Sequence, residues 1–201
     1  MRKENYVAIG IVLVVILLIL FVVGVNHVPH NVSDDVIGSG RLYECDYKSL
    51  NINTKITFKK DGVEHEITGR VFTLVTDPLT LTKNGKVIGK ADDSYNFLNQ
   101  DDHAITINGN FEVAIRGNFK VFGNSYDLFD SNNKKVGYAE FNDMCTDGAI
   151  YNAQGEAIAV YSRSWFLNDY TVKIYNNNIA SDEALLMIVA SYVSDYHYDE
   201  S

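Results

Sequence analysis

The residues able to do chemistry are sparse in this chain. Its five histidines, His27, His30, His65, His103 and His197, are scattered, and none falls in the H-E-x-x-H or H-x-x-x-H frame that places two imidazoles on one helix face. His27 and His30 lie close together but lack the further ligands a metal site needs. The acidic pairs Asp92-Asp93 and Asp101-Asp102 have the residue types of a glycosidase acid and base, yet they flank a polar segment where carboxylates ordinarily face water. Asp127 to Asn132 has the acid density of a calcium loop without its D-x-D-x-D-G spacing or distal Glu. No G-x-S-x-G elbow is present, and Gly38-Ser39-Gly40 lacks the third glycine of a nucleotide fingerprint. The chain is therefore expected not to be an enzyme and to use no cofactor and no metal.

Two thiols and two lysine pairs complete the set. Cys45 and Cys145 could pair in an exported domain, closing a loop of about 100 residues worth up to ~4.7 kcal/mol in the chain-entropy account. They could equally be two buried thiols, since two cysteines do not fix their own geometry. Lys59-Lys60 and Lys134-Lys135 sit beside turns and are the candidate ligand contacts. From Arg41 onward the chain has 15 basic and 23 acidic residues, 15 − 23 = −8, which repels phosphate backbones and argues against nucleic-acid binding.

The elements that would carry these residues begin with Tyr6 to Val25, an uncharged run of twenty residues. At about 1.5 Å per residue it matches the roughly 30 Å hydrocarbon core of a bilayer. The run has no polar stripe, exceeds a signal peptide's apolar region and ends at Val23-Gly24-Val25-Asn26, a poor cleavage site. It reads as a transmembrane anchor over 6–25. Arg2 and Lys3 precede it, and no further cation appears until Arg41. The positive-inside bias therefore places residues 1–5 in the cytoplasm and the rest outside a single-pass cell-membrane protein. Residues 26–40, with Pro29, Gly38 and Gly40, read as a linker, leaving 41–201 for one domain.

That domain is written in hairpins. Asp61-Gly62, Asn84-Gly85, Asn108-Gly109, Asn132-Asn133 and Gln154-Gly155 recur with their second residues 23, 24, 24 and 22 positions apart. Such pairs supply the positive φ angles of tight hairpin turns. Short alternating segments flank each: Ile56-Thr57-Phe58 leads into the first, Phe111 to Ile115 leaves the third, and Ala157 to Tyr161 leaves the fifth. The 13 Tyr and 10 Phe suit a pleated surface. Roughly a dozen strands must close into a barrel or sandwich to remove their edges. The final element differs. Ser181-Asp182-Glu183 resembles a helix cap followed by first-turn acids, and Ala184 to Val193 is apolar on nearly every side. A short helix over 182–197 with no polar face must be enclosed by protein.

Four motifs stand in order among these elements: Tyr126-Asp127-Leu128-Phe129-Asp130 with Lys135-Val136-Gly137, then Gly155 to Ala159 with Ser164-Trp165-Phe166, then Asp169 to Val172, and last Asp182 to Leu186 ahead of Ile188-Val189-Ala190. In these motifs and their order the chain resembles the LURP-one-related family, similar in fold to the tubby C-terminal domain and the phospholipid scramblases. The resemblance covers about Thr54 to Tyr198. It implies an all-β, twelve-stranded antiparallel barrel around a C-terminal hydrophobic helix. It also implies a tethered binding or scaffold module recognising a lipid or protein partner at the membrane, or alternatively a scramblase-type lipid handler. The basic cluster that tubby-type domains use for inositol phosphates has no counterpart here.

Overall fold

The structure, a computed structural model, describes residues 11–15, 40–50, 53–70, 79–93, 103–118, 124–142, 146–163 and 170–199. Twelve strands follow one another in chain order: β1 (Arg41–Leu50), β2 (Asn53–Lys60), β3 (Val63–Arg70), β4 (Leu79–Lys83), β5 (Lys86–Asp93), β6 (His103–Ile107), β7 (Asn110–Asn118), β8 (Asn124–Phe129), β9 (Lys135–Phe141), β10 (Asp147–Asn152), β11 (Ala157–Arg163) and β12 (Tyr170–Ile174). Each pairs antiparallel with its neighbours in sequence, and β12 returns to β1 through the register Arg41↔Ile174 to Cys45↔Tyr170. The barrel is closed, so no open edge is left to pair with another chain. The first segment expected from the hairpin spacing starts at Ile56, and β1 precedes it. Tyr43, Cys45 and Tyr47 face inward there, alternating with Glu44 and Asp46.

The turns explain the regular spacing. Asp61-Gly62, Asn84-Gly85 and Asn108-Gly109 all hold positive φ at both positions, from 48° to 79°. This is the two-residue geometry whose twist matches paired strands. The other two turns are built differently. The Asp130 carboxylate accepts from the amides of Asn132 and Lys134, and the Asn152 side chain does the same for Gln154 and Glu156. In each, the positive φ falls three residues later, at Asn133 and Gly155. Replacing Gly109 by Ala should cost about 1–2 kcal/mol, because φ is +79° while the space around a new Cβ is open. Urea unfolding of that variant measures the strain alone.

These five turns share one end of the barrel, here termed the hairpin end. The chain enters β1 at the same end, and α1 (Asp182–Asp199) starts there too. The helix runs down the lumen to the far end, where the Tyr192 hydroxyl donates to the Asn142 carbonyl. Ala184 through Val193 are buried on every side, as a helix without a polar face requires. Ile56, Phe58, Ile67, Leu81, Ile105 and Ile115 pack around it from the wall. Ser191 returns its hydroxyl to the Met187 carbonyl at 3.0 Å, so even this buried polar group is bonded. Gly137 lets the wall close, since a Cβ there would collide with the Tyr151 carbonyl oxygen.

The expected anchor over 6–25 lies mostly outside the described residues. Ile11–Val15 within it are helical and exposed. Among the described residues no helix is long and apolar enough to cross a membrane.

Candidate functional site: a charged collar at the mouth of the barrel

Polar chemistry gathers where α1 enters the lumen. Ser181 caps the helix: its hydroxyl accepts from the Ala184 amide at 3.3 Å, and its carbonyl accepts from Leu185 at 3.0 Å. Glu112 accepts from the Ser181 amide at 3.0 Å. It does so from a bulge, since β6 and β7 slip register between Ile105 and Thr106 and Glu112 has no partner of its own. The two acids that follow the cap are then gripped from the wall.

Asp182 takes a two-pronged contact from Arg41, with Nε to Oδ2 at 2.6 Å and Nη2 to Oδ1 at 2.7 Å. The paired, planar geometry makes this the strongest ion pair of the collar. The Tyr43 hydroxyl donates to the same carboxylate at 2.9 Å. Burial, and then that hydrogen bond, push the Tyr43 phenol well above its ordinary range. Glu183 receives Lys83 Nζ at 2.7 Å and lies 3.6 Å from His65 Nε2. His65 and Lys83 are direct register partners on β3 and β4, which brings both to one carboxylate.

His65 is 3% exposed and stands edge-on to Tyr43, and among the described residues neither ring nitrogen has a hydrogen-bond partner. The imidazole exerts the largest pull on Glu183. Burial opposes it, Lys83 adds to it, and the carboxyl is held down to about 2 from an ordinary 4.5. At 3.6 Å the imidazole falls short of a hydrogen bond, so the bond from Lys83 is the firmer hold. Because the folded-state value is depressed, Glu183 stabilises the barrel fully above about pH 4.5, and that contribution fades as pH falls towards 2. The gap in stability between the native chain and Glu183→Gln should therefore shrink as denaturation is repeated from pH 6 down to pH 3. A constant gap would contradict this role.

The lysine pairs divide. Lys59 and Lys60 line a cleft of about 610 Å³, formed where β1 parts from the β2–β3 hairpin and bounded also by Arg41, Leu42, Glu44 and Glu64. Each lysine already faces an acid, Lys59 with Glu64 at 3.9 Å and Lys60 with Asp61 at 2.9 Å. Lys135 bonds Asp127 at 2.6 Å, while Lys134 is exposed at its turn. All four stand at the hairpin end, although β2 and β9 are well separated around the ring. Asp127 and Asp130 are engaged by Lys135 and by turn amides, which accounts for the acid density there.

Cys45 is buried on β1, and its candidate partner Cys145, together with His27, His30, Asp101, Asp102 and Trp165, lies outside the described residues. Among the described residues no three His, Cys, Asp or Glu side chains come together to hold a metal ion. Asp182 and Glu183 are legible in the sequence as first-turn acids of the helix, while their partners on the wall are not. His65 carried one signal, since it alternates with Ile67 on the inward face of β3. The chain matches no protein-family model, no curated protein and no solved structure.

Proposed function

We propose that the chain is a membrane-tethered, non-catalytic module, with Tyr6–Val25 as the anchor and the barrel as a rigid body that recognises a lipid or protein partner beside the membrane, outside the cell. One observation carries the reading: the lumen is filled by the protein's own helix, with Leu185, Leu186, Met187, Ile188 and Tyr192 at 0% exposure. A barrel that carries a ligand inside needs a cavity there. Recognition therefore falls to the outer surface. The collar groups support the non-catalytic part, because Arg41, Lys83, Asp182, Glu183 and Glu112 hold α1 in place. The barrel-and-helix architecture is the one implied by the resemblance to the LURP-one-related family, and membership of that family is part of the proposal.

The cleft beside Lys59 and Lys60 is the surface to test. Flotation of residues 40–201 over neutral and anionic vesicles, with and without calcium, separates the partner classes. Selective flotation lost in Lys59→Ala/Lys60→Ala makes the partner a lipid. Without flotation, cross-linking in cells should trap a protein partner. Neither lipid nor partner would contradict the reading.

A further inference from the structure

The exposed apolar side chains are distributed unevenly. Among the described residues the large exposed hydrophobics are Ile11 to Val15, within the apolar run, and Leu42, Val87 and Phe111 on the barrel. These last three are 51%, 55% and 40% exposed. Each is the second residue of its strand, β1, β5 and β7, and each of those strands starts at the hairpin end. Single exposed hydrophobics are ordinary on a protein surface. All three at one end, with none elsewhere among the described barrel residues, calls for a cause.

We infer that the hairpin end of the barrel lies against the bilayer, with Leu42, Val87 and Phe111 entering the interfacial layer of the lipid. This deepens the proposed function and rests on its reading of Tyr6–Val25 as an anchor. The path of the chain supports it. Only fourteen residues, 26–39, separate that run from Gly40. Gly40 delivers the chain to β1 at the same end, and fourteen residues reach at most roughly 50 Å. The end bearing the three apolar residues is therefore the end tied to the membrane.

The ring order favours a flat lipid surface over a protein partner. β5 stands four strands from β1, and β7 stands opposite β1 across the ring of twelve. Three apolar contacts so dispersed, with the polar turns Asp61-Gly62, Asn84-Gly85 and Asn108-Gly109 between and beside them, make no contiguous patch for a protein. A plane, however, meets all of them at once. Lys59, Lys60, Lys86 and Lys134 stand at the same end, where long cationic side chains can lay their stems along lipid and keep their heads at the headgroups.

The test uses the full chain in phosphatidylcholine vesicles whose acyl chains carry bromine near the glycerol. Phe111→Trp and Val87→Trp are compared with the parent chain, so that native Trp165 contributes equally and cancels. Ser162→Trp, exposed near the far end of β11, is the control. The added fluorescence at positions 111 and 87 should fall roughly twofold in brominated vesicles, as side chains buried about 5–10 Å into the headgroup boundary would. That at position 162 should be unchanged. Chain that floats with the vesicles but shows no quenching at 111 and 87, or equal quenching at 162, overturns the inference and leaves the tether standing. Chain that does not float at all overturns the tether, and the inference with it.

Discussion

A chain ending at Ser181 is expected to form no folded barrel. The lumen is lined by Ile56, Phe58, Ile67, Leu81, Ile105, Ile115 and Leu128, every one at 1% exposure or less, and α1 is what they pack on. Without it, this surface would enclose water or collapse. The helix itself buries Leu185, Leu186, Met187, Ile188, Val189, Tyr192 and Val193. At about 1.5–3 kcal/mol for each fully buried apolar side chain, the seven together contribute roughly 10–21 kcal/mol, as much as the roughly 5–15 kcal/mol by which a whole domain is ordinarily stable. Losing the helical contacts therefore removes a contribution the size of the whole margin. Loss of near-ultraviolet circular dichroism and of cooperative urea unfolding would show it. A truncated chain that still unfolds cooperatively would mean the wall is self-supporting and the helix merely a guest.

The second large effect is expected at Phe141. Its ring stacks on Tyr192 of the helix with centroids 4.0 Å apart and meets Tyr126 and Tyr161 edge-on. Phe141→Ala should cost about 3–5 kcal/mol, the range for removing a buried aromatic from a packed core. Tyr192 would lose its stacking face while its hydroxyl remained tied to the Asn142 carbonyl. The Tyr192→Phe change should therefore cost a different amount in the Phe141→Ala background, because residues in contact do not add. Additive losses in the double-mutant cycle would contradict this coupling.

What the sequence made legible was local. Asn84-Gly85 and Asn108-Gly109 declare their turns because positive φ is a demand on two adjacent residues, and the structure has it at both. The enclosed helix was legible because Ala184 to Ala190 offers no polar side to water at any rotation. The collar was not legible in the same way. Arg41 and Asp182 stand 141 residues apart, and only closure of β12 on β1 brings the mouth of the barrel together. Glu112 is harder still, since its reach to Ser181 depends on a bulge that alternation alone does not announce. β1 was readable in principle. Tyr43, Cys45 and Tyr47 alternate with Glu44 and Asp46, but no Asn-Gly or Asp-Gly pair follows before Asp61-Gly62 to mark a turn after them.

Closure also explains why the lysine pairs, four candidates on two turns, do not form one basic site. β2 and β9 stand apart in the ring, and Lys59, Lys60 and Lys135 each have an acid within 4 Å. A cation so engaged gives up a neighbour before it binds an anion, which weakens purely electrostatic attraction to lipid. The barrel's affinity for a membrane should therefore depend little on salt and strongly on its tether.

Fractionation tests the tether. The full chain and a chain starting at Gly40 are expressed side by side, and their membranes are washed with alkaline carbonate. The full chain is expected to stay with the membrane pellet, while the shorter chain, folded as judged by its circular dichroism, is released. Release of both would contradict the tether and leave the barrel a free body.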